Sequence, residues 1–160
     1  MIEELIFLVG ESYLLVLPII ILYILYRRKE WALPVILSVF MTLVLVTAIK
    51  IIVVEPRPCS GLGPVLCQDP LQSFPSRHVA LVAAPLVFLL SEAPVLIGYL
   101  TYVALVGLSR VYVGEHYPHD VLAGALIGIV IGYICWKIVP RLRSNNKKAG
   151  RVKGVPMKSG

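Results

Sequence analysis

The sequence predicts an all-α integral membrane protein, a bundle of about five transmembrane helices. Three observations carry this expectation. Of 160 residues, 58% are hydrophobic and only 15% charged, far from the balance of a soluble domain. The apolar residues fall in five runs, at about 5–26, 31–54, 75–91, 94–113 and 118–139, mostly near the ~20 residues a helix needs to cross the hydrocarbon. Apart from Arg57, the cations outside those runs gather in two places, Arg27-Arg28-Lys29 and the stretch from Arg141 to Lys158, as the positive-inside rule expects of cytoplasmic segments.

The first run follows an acidic leader, Glu3-Glu4, and no small-residue cleavage pattern comes after it, so it reads as a retained helix rather than a secretion signal. With five spans and the two basic segments inside, residues 55–77 and 113–117 face the extracytoplasmic side. The second run ends near Pro56 and Pro58, which stop a helix and fix its exit. Lys50 and Arg57, seven residues apart, would lie about 20° apart around such a helix and on the order of 10 Å along it. The third run is the shortest. Its first turn carries Ser76, Arg77 and His78, which belong in a cavity rather than against lipid. Pro75 suits the first helical position and Ser76 the cap, and the free N–H groups of that helix end form an anion site. The fourth run closes on Ser109-Arg110. The fifth opens near Pro118, with His116 just before it and Asp120 in its first turn.

Two regions follow: a membrane-embedded domain over 1–140 and a basic, disordered cytoplasmic tail over 141–160. The formal charge of +6 belongs to that tail, whose seven cations leave the other 140 residues at −1. Such a tail meets anionic lipid rather than nucleic acid. Of the three cysteines, Cys135 lies in an apolar run and reads as a small core residue. Cys59 and Cys67 flank a Gly/Pro-rich stretch of the proposed external loop, where an oxidising compartment would permit a disulfide. No His or further Cys stands near them at zinc-ligand spacing.

The chemistry lies in three short segments. Lys50, Arg57 and Arg110 supply fixed cations, His78 and His116 two imidazoles, and Asp120 a carboxylate. That inventory can bind a phosphoryl group, attack it and protonate what leaves, without a metal or cofactor. Asp120 can reach back to His116, hold one ring nitrogen protonated and leave the other as a free lone pair. His119, one residue from Asp120, is expected to point elsewhere, toward the interface.

Lys50…Arg57-Pro58, Pro75-Ser76-x-His78 and Ser109-Arg110…His116…Asp120 resemble the three-part signature of the type 2 phosphatidic acid phosphatase family, which includes the vanadium haloperoxidases. The resemblance covers residues 50–120. It implies a metal-independent membrane phosphatase that passes through a phosphohistidine. By that analogy His116 attacks phosphorus, Asp120 orients it, and His78 protonates the leaving oxygen and then activates water. Lys50, Arg57 and Arg110 would hold the non-bridging oxygens, with Ser76 and Ser109 completing the cradle. The family usually has glycine where this chain has Arg77. A side chain there restricts backbone approach to the phosphate, or adds a fourth cation suited to a diphosphate.

The resemblance also implies a lipid phosphate as substrate, reached from the outer leaflet of the cell (inner) membrane. A polyprenyl (undecaprenyl-type) diphosphate ranks ahead of lipid A 1-phosphate and phosphatidylglycerophosphate, with no obligate protein partner. The alternatives are lipid-to-lipid phosphotransfer and non-enzymatic headgroup binding or transport. The last explains the cations but not two imidazoles beside an aspartate.

Overall fold

The structure, a computed structural model, describes the backbone over residues 2–61 and 71–153 and the side chains from Glu4 to Cys59 and from Leu71 to Arg141. Its helices are α1 (Ile2–Glu11), α2 (Tyr13–Arg27), α3 (Ala32–Ile52), α4 (Arg77–Ala83), α5 (Ala93–Tyr112) and α6 (Pro118–Lys153), joined in part by 3-10 turns. Four stretches are long and apolar enough to cross a membrane: Glu4–Arg27, Lys29–Ile52, Ala93–Tyr112 and Pro118–Arg141. Large apolar side chains such as Leu15, Ile52 and Leu122 stand 72%, 80% and 71% exposed, which is tenable only where the surrounding medium is lipid.

The run at 75–91 forms a shorter element than expected. Helix α4 continues as a 3-10 turn over Ala84–Leu89, and together they extend roughly 22 Å, less than the ~30 Å of hydrocarbon. Every residue from His78 to Leu89 is buried. This segment is therefore the core around which the long helices pack, and its high apolar content reflects neighbours on all sides rather than lipid.

Helix α6 reaches this core by a stripe of glycines. Gly124, Gly128 and Gly132 recur every four residues, and a methyl group on them would fall 2.5 Å from the Ser76 carbonyl oxygen, 2.2 Å from that of Ala80 and 2.3 Å from that of Ala84. Two four-residue repeats thus lie in register, backbone against backbone, as small residues permit between membrane helices. The same register sets the start of α4 beside the start of α6, where the Ser76 amide donates to the Asp120 carbonyl at 3.0 Å.

The other helices aim buried stripes at the same place. In α3 the stripe Val35, Ser38, Thr42, Val46 ends on Lys50; Ser38 and Thr42 donate to the carbonyls of Val35 and Ser38 at 2.8 and 2.7 Å, which makes hydroxyls acceptable in a core. In α5, Tyr99, Val103 and Val106 lead to Arg110. At the opposite end Arg27 pairs with Glu92 at 3.0 Å, an exposed contact of little energetic weight.

Two sequence expectations differ from the structure. Helix α3 stops at Ile52, so Lys50 and Arg57 do not share a helix. Glu55 and Arg57 each precede a proline, which pushes both toward extended backbone, and Glu55 forms an isolated parallel bridge with Gln72. Pro75 lies before the cap rather than at the first helical position. Its bond to Phe74 is cis, and α4 begins at Arg77 behind Ser76. The described backbone of α6 continues through Pro140 to Lys153.

Cys59 is disulfide-bonded; Cys67, its expected partner, lies outside the described residues. Cys135 is a free, buried thiol.

Candidate active site

The loop that carries His116 is shaped by Arg110. Its carbonyl accepts hydrogen bonds from the amides of Glu115 and His116 at 3.1 and 3.2 Å, so the chain reverses just after α5. Gly114 takes φ 73° there, a left-handed conformation that favours glycine. Its carbonyl accepts from the Cys59 amide at 3.0 Å, which ties the Arg57 loop to the His116 loop.

Asp120, fully buried in the first turn of α6, is held by three neighbours. Its Oδ2 accepts from Ser73 Oγ at 2.5 Å and from the Tyr117 amide at 2.8 Å, and lies 3.4 Å from His116 Nδ1. The last is an ion-pair distance without hydrogen-bond alignment. With Nδ1 toward the carboxylate, Nε2 is the ring nitrogen left for a reaction. Burial is the main force depressing the His116 pKa, to about 4, with Arg57 and Lys50 adding to it against Asp120 and Glu115. The ring is thus neutral over most of the physiological range.

His78, in the first turn of α4, lies across from it. The two ring centroids are 6.5 Å apart at 64°, and Tyr13 packs edge-on to His78 at 4.8 Å. Lys50, Arg57, Gln72, Arg77 and His78 enclose a cavity of about 20 Å³, room for about one water. Lys50 Nζ donates to the carbonyls of Gln72 and Ser73 at 2.6 and 3.2 Å. Arg110, fully buried, donates through Nη1 to Glu11 at 3.0 Å and to Glu115 at 2.8 Å, and through Nη2 to the Phe7 carbonyl at 3.2 Å. Arg57 Nη1 shares Glu115 at 3.5 Å.

The three distant segments therefore converge: Lys50, Arg57, Arg77, His78, Arg110, His116 and Asp120 meet at one end of the bundle. Ser76 is buried behind them, with no hydrogen-bond partner for its hydroxyl among the described residues. Ser109 is not brought in as expected, because its hydroxyl donates to the Val106 carbonyl at 2.7 Å and the residue borders an apolar groove instead. His119 does not point away from Asp120. Its Nε2 lies 3.1 Å from Asp120 Oδ1 and 2.9 Å from Glu55 Oε1, so it caps the outer side of the same carboxylate.

Glu11, Ser73 and Glu115 belong to the site without being among the expected residues. For Glu11 a signal existed: a carboxylate within an apolar run needs a buried cation to justify it. Side-chain atoms of His78, Glu115 and His116 lie within 4.8 Å of one another, as do those of Glu55, His119 and Asp120. A cation at the first group would also face Arg57 and Arg110, so that position favours an anion.

The model of the PAP2 superfamily matches residues 31–144, most of the chain and every site residue from Lys50 to Asp120. The chain belongs to the PAP2 superfamily. It is 31% identical over 134 residues to an undecaprenyl-diphosphatase of Sulfolobus acidocaldarius, covering 81% of this chain and 65% of that protein. To the undecaprenyl-diphosphatase BcrC of Bacillus subtilis it is 30% identical over 98 residues, 59% of this chain and 51% of that one. The chain thus spans between half and two thirds of these relatives' lengths. Among solved structures, the crystal structure of Aquifex aeolicus LpxE superposes with a TM-score of 0.69 at 30% identity, covering 85% of this chain and 86% of that one.

Proposed function

We propose that this PAP2 member is a metal-independent lipid phosphate phosphatase that works through a phosphohistidine. The observation that carries the reading is the convergence of a buried His116–Asp120 pair, a second imidazole and a cluster of guanidinium groups at one end of a membrane bundle. In this mechanism the Nε2 lone pair of His116 attacks phosphorus. The P–O bond to the lipid breaks with its electron pair on oxygen, and His78 delivers a proton to that oxygen. Water then attacks phosphorus, giving a proton to His78; the phosphorus–nitrogen bond breaks with its electron pair returning to Nε2, which releases inorganic phosphate and neutral His116. Lys50, Arg57, Arg77 and Arg110 compensate the equatorial oxygens, the main requirement of phosphoryl transfer.

A groove of about 400 Å³ between α1 and α5, lined by Ile6, Val9, Leu105, Leu108, Val111 and Tyr112, adjoins Ser109 and hence Arg110. Its apolar lining supports a substrate whose hydrocarbon chain stays in lipid. The names of the relatives and the cluster of cations favour a polyprenyl diphosphate, ahead of lipid A 1-phosphate or phosphatidylglycerophosphate. The basic segments at Arg27–Lys29 and beyond Arg141 favour the cytoplasm by the positive-inside rule, which supports a site on the extracytoplasmic side of the cell membrane. A panel of purified lipid phosphates, assayed for inorganic phosphate with chelator present, tests the reading. Release should continue under chelation and be greatest for the prenyl diphosphate; strict dependence on a divalent ion would contradict the mechanism.

Two further results are expected. The depressed His116 pKa keeps the nucleophile neutral until the pH falls toward about 4, so the acidic limb of kcat/KM should drop there. Burial, with Arg110, His116, Arg77 and Arg57 adding to it, depresses the His78 pKa to about 3 in the ligand-free site; a bound phosphoryl dianion raises it, so the basic limb belongs to kcat and should drop where His78 in the substrate complex loses its proton, giving a bell in kcat. A flat profile with chemistry rate-limiting would contradict the paired-histidine scheme. Arg77→Gly should lower the preference for diphosphate over monophosphate lipids, read as the ratio of their kcat/KM values; an unchanged ratio removes Arg77 from headgroup selection.

A further inference from the structure

The N-terminal helix enters the site through a single carboxylate. Glu11 Oε1 accepts from Arg110 Nη1 at 3.0 Å and lies 3.4 Å from His78 Nε2. It therefore bridges the cation that should hold a phosphoryl oxygen and the nitrogen that should protonate the leaving oxygen. Several contacts hold the helix there. The Phe7 carbonyl accepts from Arg110 Nη2 at 3.2 Å, and the Phe7 ring lies 5.4 Å below that guanidinium. Gly10 leaves no room for a side chain, since a methyl group would fall 1.7 Å from Arg110 Nη2. Helix α1 then ends where Ser12 Oγ donates to the Val9 carbonyl at 2.6 Å, and the hydroxyls of Ser12 and Tyr102 lie 3.0 Å apart.

We propose that Glu11 is a specificity-determining residue, an internal carboxylate that fills the anion position between Arg110 and His78 and yields only to ligands with enough negative charge to displace it. The proposal rests on the phosphatase reading of this site and adds the selection of ligand charge. Beside that cavity of about 20 Å³, a phosphoryl group can enter only as a carboxylate leaves. Glu11 is the one free to leave: its side chain is 34% exposed, against 17% for Glu115, which stays between Arg57 and Arg110. Displacement exchanges one charge-assisted hydrogen bond at Arg110 for another. A dianionic phosphomonoester or diphosphate gains more from Lys50, Arg57, Arg77 and Arg110 than a carboxylate does. A monoanionic phosphodiester does not, so the site rejects it.

Calorimetric binding of orthophosphate and of dimethyl phosphate to the full detergent-solubilised chain, at mildly alkaline pH, tests this. Glu11→Gln should tighten orthophosphate by on the order of fivefold and dimethyl phosphate by more, so that discrimination between them narrows. Unchanged or weaker binding of both, in a variant that melts with the wild type, overturns the proposal. Should Glu11→Gln fail to fold, Glu11→Asp serves: one methylene too short to span Arg110 and His78, it should also tighten orthophosphate, and equal or weaker binding overturns the proposal equally. The two readings fail separately. Phosphate binding that depends on Glu11, in a protein that releases no phosphate from lipids, removes the phosphatase reading alone; turnover with affinities indifferent to Glu11 removes this inference alone.

Discussion

His116→Ala should abolish phosphate release from a lipid phosphate, lowering kcat by about three orders of magnitude or more while the protein stays folded and binds its substrate. The size of the effect follows from the role. In the proposed mechanism the cations, His78 and Asp120 only assist a phosphoryl group that His116 must first accept, so no neighbour can take over. Glu115, the adjacent carboxylate, is engaged by Arg110 at 2.8 Å and cannot replace an imidazole. Asp120→Asn should be milder, because Ser73 and the Tyr117 amide still fix the side chain while its negative charge is lost. Free phosphate measured over a time course, with substrate binding followed separately, checks both. Phosphate release by His116→Ala within tenfold of the wild type would remove the covalent step.

Gly128→Leu should have the largest effect on the fold, destabilising it by about 3 kcal/mol or more. The first atom added at this position would lie 2.2 Å from the Ala80 carbonyl oxygen and 3.0 Å from the Ala83 side chain. The obstacle is a helix backbone, which cannot rotate aside as a side chain can. Helices α4 and α6 would have to separate, and Asp120 and His78 are carried on the facing ends of those two helices. The variant should therefore lose stability in detergent and activity together. Gly98→Leu is the control, since among the described residues nothing lies within 4 Å of a methyl group added there. Equal melting temperatures for Gly128→Leu and wild type would show that the two helices are not in close contact.

The chemical residues were legible in the sequence because phosphoryl transfer demands particular side chains, and those of His78, His116, Asp120 and the guanidinium groups come at spacings few other tasks require. The path that brings them together was less so. The spacing of Lys50 and Arg57 fits a continuous helix, yet two X-Pro steps and the bridge from Glu55 to Gln72 end α3 early, and the loop does the positioning instead. The segment at 77–89 is apolar whether lipid or protein surrounds it, so hydropathy alone could not tell a membrane span from a central core helix. Serine at 109 fits a phosphate cradle by type, but inside a helix a hydroxyl readily bonds a preceding carbonyl, as it does to Val106. Glu11, Glu115 and Ser73 act on Arg110 and Asp120 across long sequence separations, which no local pattern encodes. The glycine repeat on α6 could have been read as a close-packing face, and its register against Ser76, Ala80 and Ala84 is what aligns the site.

The proposed mechanism depends most on a phosphorus–nitrogen bond at His116. Rapid acid-free quenching of the protein with a radiolabelled lipid phosphate, followed by alkaline peptide mapping, tests it directly. The account predicts label that survives base, is lost in acid, and lies on the peptide containing His116. Turnover at the wild-type rate with no label trapped, or with label on a different residue, would contradict it.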